Sequence, residues 1–185
     1  MATSVVEIAN LALTYLGAEL VVSLDDPHKS ARLLKQTWPT CRDAVLRAAL
    51  WNCVTREAVL PPTSAPAETG WSHASLLPAD CLRVIRLLRD EPFVVRQRML
   101  MSHANPAIIQ YIAAVEDVSV YDALLVQALA AYWAHALCLP LTQSNSLKEH
   151  MWEQYRLFVR EARSVDAQEG SLQLIEASDW VAARI

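Results

Sequence analysis

The sequence predicts an α+β fold that is mainly α-helical and carries a small inserted β-sheet. Apolar residues recur at helical spacing towards both ends of the chain, whereas the middle is rich in β-branched residues and proline-containing turns. The chain has 185 residues, of which 54% are hydrophobic, and this is long enough for one core. We therefore predict a single domain made of a helical body (1–51 and 118–169), a β-rich insertion (52–117) and an extended C-terminal tail (170–185).

A capping signal marks the start of the first helix. Ser4 followed three residues later by Glu7 has the spacing of a capping box, in which each side chain accepts a hydrogen bond from the other residue's backbone amide. Gly17 then supplies a residue that readily ends a helix in the left-handed conformation. The first helix is therefore expected over residues 4–16.

The second helix is expected from about Lys29 to Trp51, because apolar residues recur along it at helical spacing. Pro39 lies inside this range and lacks the amide hydrogen that a helix needs, so we expect a kink or a break there. Asp25 and Asp26 precede the helix as adjacent aspartates before a proline. This pattern is more typical of a solvated turn than of a metal site.

The middle of the chain is predicted to form a sheet of three or four short strands. β-branched and aromatic residues concentrate in runs that are separated by proline, aspartate and glycine. The second and third runs flank a turn at 89–92, so we expect them to pair as a hairpin, and 61–70 is expected to be a stiff loop. The predicted strands are 55–60, 83–88, 93–99 and 108–113.

The run from Ala123 to Leu141 contains no charged residue and is close to the length that spans a bilayer. Gln127 and His135 lie in its interior, and their polarity offsets much of the gain that the leucines offer in a membrane. A helix buried among other helices explains the run better. We therefore expect a central core helix that ends at Pro140, and no membrane contact.

Two further capping signals frame the long helices of the second half. Ser119 with Asp122 is expected to open the apolar helix, and Ser146 with Glu149 forms a capping box that opens the last helix. Gly170 is expected to stop that last helix. Its predicted apolar seam comprises Leu147, Met151, Tyr155, Phe158, Ala162 and Val165.

Composition limits the classes of partner. The formal net charge is −4, which does not favour a chain that grips nucleic acid through its overall charge. Charged residues make up only 19%, below the roughly 25% usual for soluble chains. A surface short of charge indicates either burial against other subunits or a compact helical monomer with a large core, and composition leaves both open.

No sequence motif points to catalysis, so we predict that the protein is not an enzyme and uses no cofactor or metal. The chain contains no GxSxG, HExxH or P-loop motif. Cys41, Cys53, Cys81 and Cys138 show no CxxC spacing and the histidines are equally scattered, which does not favour a zinc site. Free buried thiols are expected instead, and His135 is expected to be a hydrogen-bonded core residue.

Arginines concentrate in the predicted hairpin and form the main basic cluster of the sequence. Because they share one hairpin, several of them are expected to lie on one surface. Acidic residues nearby in sequence favour an ion-paired subunit interface or a solvated face over direct contact with DNA phosphates. The candidate interface residues are Arg83, Arg86, Arg89, Arg96 and Arg98.

The tail over 170–185 is too short to form a core of its own but is rich in apolar residues. It either folds back on its own subunit or docks on another chain, with Trp180 as an aromatic anchor. The candidate docking residues are Leu172, Leu174, Ile175, Trp180, Val181, Arg184 and Ile185.

A series of segments along the chain carries a family resemblance. The most specific is LPADCLRV at residues 77–84; the others, in order, are EIANLALTYLGAE with SLDD, AVLRAALWNCVTREAVL, IIQYIAAVEDVSVYDALLVQALAAYWAHALCLPLT, EARSVDAQEG and DWVAARI. In content and order they resemble the tail tubular protein A family, the head-to-tail adaptors of T7-like short-tailed bacteriophages. The resemblance covers most of the chain, and it departs from the family pattern at Asn52-Cys53 and in the proline-rich loop.

The resemblance implies a structural virion protein at the head–tail junction, assembled in the cytoplasm of the host bacterium. It implies a dodecameric ring between the portal protein and the tail nozzle protein, with the C-terminal tail attached to the portal. The β-rich end would receive the nozzle, which places the five arginines at an inter-subunit or nozzle interface. Double-stranded DNA would pass through the ring during packaging and ejection without sequence-specific binding.

Two alternatives remain open at the level of sequence. One is a cellular α-helical interaction or scaffold protein that forms no ring and packs its tail on its own body. The other is an enzyme with a site that carries no recognisable motif, which a deep pocket of converging titratable groups would favour.

Overall fold

The computed structural model describes residues 4–64 and 67–169, and this part of the chain contains four α-helices and two antiparallel three-stranded sheets. The predicted α+β class is confirmed. The helices are α1 (Val5–Leu16), α2 (Lys29–Ala48), α3 (Ala123–Thr142) and α4 (Asn145–Glu169). The strands are β1 (Thr55–Leu60), β2 (His73–Leu76), β3 (Cys81–Leu87), β4 (Phe93–Arg96), β5 (Met99–Ser102) and β6 (Ala107–Ala113).

Helix α1 begins and ends as predicted. Ser4 Oγ accepts a hydrogen bond from the amide of Glu7 at 3.1 Å, and the Glu7 carboxylate accepts one from the amide of Ser4 at 2.8 Å. Gly17 ends the helix with a φ of 64°, in the left-handed region that glycine adopts without a steric cost.

The sequence predicts a kink or a break at Pro39, and helix α2 runs through this residue without a break. The proline lies on the exposed side of the helix, where a missing hydrogen bond costs least. The helix ends at Ala48 and not at Trp51, which is buried beyond it. The indole Nε1 of Trp51 donates to the carbonyl of Val45 at 3.0 Å, so this tryptophan packs back beneath the last turn.

The β-rich insertion forms two sheets, with strand orders β1-β6-β3 and β2-β5-β4. Strands β3 and β4 therefore lie in different sheets, and the predicted hairpin between residues 83–88 and 93–99 is wrong. Strand β4 pairs with β5 through a two-residue turn at Gln97 and Arg98, whose φ angles are 49° and 64°. Two positive φ angles in succession suit the twist of a tight hairpin. No glycine or asparagine marks this turn in the sequence. The sequence therefore predicts one strand over 93–99 where the structure has β4 and β5, and it does not predict β2.

Helix α3 begins one turn later and ends one turn further on than the sequence predicts. Ser119 lies in a short 3₁₀ helix, and the cap is Asp122 alone, whose carboxylate accepts a hydrogen bond from the amide of Leu125 at 2.8 Å. The helix continues through Pro140 and ends at Gln143, which has a φ of 56°.

Helix α4 begins at Asn145, so the predicted capping box at Ser146 and Glu149 is wrong. Ser144 takes the capping role, because its Oγ accepts a hydrogen bond from the amide of Leu147 at 3.2 Å. A capping hydroxyl must precede the first helical residue, and Ser146 already lies inside the helix. The predicted stop at Gly170 lies outside the described residues.

One continuous core joins the helices to the sheet built around β6. Helix α3 packs against α1, α2 and α4, and α2 also contacts β3 and β6. The predicted seam of α4 is confirmed at Met151, Tyr155 and Ala162, whereas Val165 is exposed and Val159 is buried in the core. The largest fully buried side chains include Trp51, Trp133, Ile8, Leu13, Leu34 and Leu129.

Helix α3 is long and apolar enough to cross a membrane by length and composition alone. Its most apolar window has a mean hydropathy of 1.6, and 50% of that window is buried within the protein. A core helix of a folded domain meets the same criteria. The packing of α3 against three other helices accords with the core helix that the sequence predicts.

Candidate functional site

The five arginines proposed as an interface set do not share one hairpin. Arg83 and Arg86 lie on β3 and Arg89 lies in the turn that follows, whereas Arg96 ends β4 and Arg98 lies in the turn between β4 and β5. The prediction of a shared hairpin surface is therefore wrong. The reason is that β3 pairs with β6 and not with β4, a choice that depends on distant residues.

Two of these arginines make local hydrogen bonds that hold the sheets. The Nε of Arg86 donates to the side-chain oxygen of Gln110 at 3.0 Å, across the β3–β6 pair. The Nη2 of Arg98 donates to the carbonyl of Pro78 at 2.6 Å and so joins the β4–β5 turn to the segment before β3. Both contacts give these side chains a role within the subunit.

Ion pairing follows a different pattern from the predicted one. Among the five arginines, Arg96 has a carboxylate partner within the described residues, and that partner is Glu68 of the preceding loop. Asp80 is one of the acidic residues that lie near the set in sequence, and its carboxylate accepts a hydrogen bond from Arg56 of β1 at 3.0 Å. Arg96 and Glu68 are both solvent-exposed, so this pair contributes little to stability.

Arg83 belongs to a second cluster that the sequence does not reveal. It meets Arg47 of α2 and Arg163 of α4 at the C-terminal end of α2, and we call these three residues the arginine triad. Arg83 Nη2 donates to the carbonyl of Ala49 at 3.3 Å, and Arg163 Nη2 donates to the carbonyl of Ala48 at 3.0 Å. Arginines at the end of a helix satisfy its last carbonyls and complement its dipole.

The remaining member of the triad fastens α2 to the strand beside it. Arg47 donates to the backbone carbonyl of Leu82 in β3. The triad therefore draws on α2, β3 and α4, which are far apart in sequence. A basic residue in the last turn of a helix is the only local signal, and it points to Arg47 alone.

Arg83 is the most constrained member of the triad. It is half-buried, and its Nε is enclosed without a hydrogen-bond partner among the described residues. Burial lowers the pKa of its guanidinium, and the neighbouring charges of Arg47 and Arg163 lower that pKa further. Like charges held close together are unfavourable unless an anion lies nearby.

A cavity of about 610 Å³ opens beside the triad. Its lining combines the end of α2 at 48–50, Asn52, residues 83–85 of β3 and Arg163. The side chains of Leu50, Val84 and Ile85 make one part of the wall apolar, and the guanidinium groups make the other part cationic. A second cavity of about 430 Å³ lies on the other side of Arg83 and includes Arg47 and Arg98.

The cysteines have the character of structural thiols. Burial raises the pKa of Cys41 and of Cys53 to about 11, and it also raises the pKa of Cys81. The thiolate is the nucleophilic form, so a raised pKa makes these groups poor nucleophiles at neutral pH. Within residues 4–64 and 67–169, no group of three or more His, Cys, Asp or Glu side chains could hold a metal ion.

The aspartate pair forms the predicted turn. Asp26 accepts hydrogen bonds from the amides of Val22 and Ser23 at 3.0 and 3.1 Å, and Asp25 pairs with Lys35 at 2.6 Å. These contacts hold the backbone of the turn before α2. The carboxylates are engaged in this structural role and do not converge on a common point.

An aromatic patch lies on the outer surface where α3 meets α4. Trp152 is 40% exposed, and its ring lies 5.2 Å from the ring of His135 and 6.4 Å from that of Tyr132. His135 Nδ1 lies 3.0 Å from the carbonyl of Lys148 and donates to it. This histidine is hydrogen-bonded as predicted, but it lies at the edge of the helix pair and lines a surface cavity.

The predicted docking residues of the tail, Leu172, Leu174, Ile175, Trp180, Val181, Arg184 and Ile185, lie outside the described residues. No model of a known protein family matches the chain, and no curated protein matches it at a significant level.

Proposed function

We propose that this protein is a structural virion protein, a head-to-tail adaptor that forms a ring between a portal and a tail nozzle and continues the DNA channel. The observation that carries the proposal is the ordered series of segments that resembles the tail tubular protein A family. Within the described residues these segments fall on α1, α2, β1, β3, β6, α3 and α4, so this part of the resemblance follows the framework of the fold, and DWVAARI lies outside the described residues.

The position of the segment 77–84 supports this proposal. Its backbone carbonyls at Pro78 and Leu82 accept hydrogen bonds from Arg98 and Arg47, which belong to the second sheet and to α2. Its Asp80 carboxylate accepts from Arg56 of β1. The segment thus holds three parts of the subunit at one junction, and such a role suits an assembly protein more than a catalyst.

The charge of the chain also supports a conduit for DNA. A net charge of −4 disfavours tight binding of phosphates, which would retard a genome that must slide through the ring. Ring assembly requires two different faces on each subunit. The helical surface with the aromatic patch and the surface of the β-sheets offer two such faces.

The experiment that tests the proposal is native mass spectrometry of the purified protein, alone and mixed with the portal protein encoded in the same genome. We expect a large complex with about one copy of this chain per portal subunit, as cyclic closure requires. The adaptor function is refuted if no complex forms although both proteins are folded and the portal is already a ring. The cellular scaffold protein would then be the better explanation.

A further inference from the structure

The arginine triad carries more positive charge than its surroundings offset. The guanidinium groups of Arg83 and Arg163 donate to carbonyls at the C-terminal end of α2, whereas that of Arg47 donates to Leu82 of β3. A helix end supplies only about half a negative charge. Within the described part of the chain, no carboxylate forms an ion pair with Arg47, Arg83 or Arg163. Arg83 and Arg163 line the cavity and therefore leave an excess of about one to two positive charges there, whereas Arg47 lies on the other side of Arg83.

The guanidinium groups of the triad also have hydrogen-bond donors that no backbone carbonyl of the described chain uses. Each guanidinium carries five N–H groups, and each member of the triad uses one of its nitrogen atoms in a hydrogen bond to a backbone carbonyl of the described chain. The free donors and the excess charge together favour an anionic ligand with more than one acceptor oxygen.

The wall opposite the arginines indicates what else the ligand must carry. Leu50 is 48% exposed at the cavity, and Val84 and Ile85 extend the same apolar surface. A volume of about 610 Å³ lies within the range of roughly 300–1,000 Å³ that is typical of binding pockets. The cavity is large enough for a few side chains of a partner, with aliphatic groups on one side and carboxylates on the other.

We propose that Arg83, Arg163 and the cavity that they line bind a segment of a partner protein in which carboxylate side chains stand next to an aliphatic residue. The guanidinium groups would hold the carboxylates, since their planar donors match a carboxylate with two parallel hydrogen bonds. The apolar wall would bury the aliphatic neighbour. This site shares only Arg83 with the interface set inferred from sequence, and it does not depend on the adaptor function.

Nucleic acid fits the same cavity less well. A phosphate backbone would satisfy the arginines, but it would place hydrated sugar and phosphate groups against Leu50 and the valine and isoleucine of β3. The charge pattern of the site thus favours a short acidic and aliphatic peptide.

The test uses a fluorescein-labelled peptide of repeated Leu-Asp-Glu units and a matched peptide of Leu-Asn-Gln units, with binding followed by fluorescence anisotropy at low salt. We expect the acidic peptide to bind the full chain at least about tenfold more tightly than the neutral one. Arg163→Gln and Arg83→Gln should each weaken that binding by about tenfold. Arg160→Gln removes the same charge from an exposed site on α4 outside the cavity, and it should change the affinity less than about twofold.

Each outcome of this experiment either supports or overturns the proposal. Loss of binding in Arg163→Gln and Arg83→Gln but not in Arg160→Gln, with all variants retaining the wild-type circular dichroism spectrum, supports the proposal. Equal weakening by all three substitutions would overturn it, because a diffuse charge effect would then suffice. Failure of the acidic peptide to bind would also overturn it. A short labelled DNA duplex is compared in the same assay. If it binds more tightly than the peptide and with the same dependence on Arg163, the site binds phosphate and the peptide proposal is overturned.

Discussion

Asp80 shows how one residue can join several parts of this subunit. Its carboxylate accepts a hydrogen bond from Arg56 at 3.0 Å and lies 3.3 Å from the hydroxyl of Tyr111, and its carbonyl accepts from the amide of Ala114 at 2.7 Å. Tyr111 is buried, so its hydroxyl needs a partner within the protein. Loss of the carboxylate would leave that hydroxyl without its acceptor.

We therefore expect Asp80→Ala to lower the free energy of unfolding by about 1–3 kcal/mol, the usual cost of a buried polar group that loses its partner. Urea unfolding followed by circular dichroism measures this change. Glu57→Ala removes an exposed carboxylate from the same sheet and should change the value by less than about 0.5 kcal/mol. Equal effects of the two substitutions would show that Asp80 has no special role.

The buried thiol and phenol groups predict how stability depends on pH. Burial raises the pKa of Cys41 to about 11 and that of Tyr121 to about 12. Both values lie above those of the unfolded chain, so the stabilising contribution is fully present below the unfolded pKa and is lost as the pH rises through the folded pKa. The free energy of unfolding should therefore fall between about pH 9 and pH 11.

Urea unfolding at about pH 8 and pH 10.5 tests this expectation. Cys41→Ala removes one of the two groups, so the decline with pH should be shallower in this variant than in the wild type. A decline of the same size in both proteins would mean that the titration of Cys41 does not contribute. The comparison uses the difference between the two pH values, because the substitution also alters packing at the site.

At the scale of elements, the helix ends show which local sequence signals predict the structure and which do not. The capping box of α1 is complete within the first turn and appears in the structure as predicted. Gln143 ends α3 in a left-handed conformation that sequence reasoning does not assign to glutamine. The same applies to the turn at Gln97 and Arg98, because both residues have positive φ angles and neither is glycine. Tertiary contacts must stabilise these less favourable choices.

Pro39 provides a direct test at this scale. Because it lies exposed inside a continuous helix, Pro39→Ala should raise the free energy of unfolding by about 1–3 kcal/mol. Gln36→Ala changes another exposed position of the same helix and should alter the value by less than about 0.5 kcal/mol. Thermal and urea unfolding both report the change. A destabilised Pro39→Ala protein would indicate that the proline gives α2 a curvature that the neighbouring Trp38–Trp133 contact needs.

At the scale of the whole molecule, the proposed adaptor function makes a specific demand on the tail. Trp180 is the aromatic anchor that the sequence suggests for attachment to the portal. Trp180→Ala should weaken binding to the portal ring by at least about tenfold while the subunit stays folded. Analytical ultracentrifugation of the mixture measures binding, and circular dichroism confirms folding. Unchanged attachment by a well-folded variant would remove Trp180 from the interface.

The arrangement of the described surfaces agrees with a protein that has several contacts to make. The aromatic patch lies on the α3–α4 side, and the arginine triad lies where α2, β3 and α4 meet. Exposed apolar side chains also occur on the sheets, at Val59, Leu76 and Val95. Single exposed apolar side chains are common on protein surfaces.

The sequence by itself determined those features that depend on a few neighbouring residues. The caps and periodicity of α1, the strand at β1, the core of β6 and the α+β class all follow from signals within one or two turns. The pairing of β4 with β5 and not β3, the continuity of α2 through Pro39, and the meeting of Arg47, Arg83 and Arg163 were decided only by the tertiary structure. These depend on contacts between distant segments, whose energies outweigh local preference and leave no pattern along the chain.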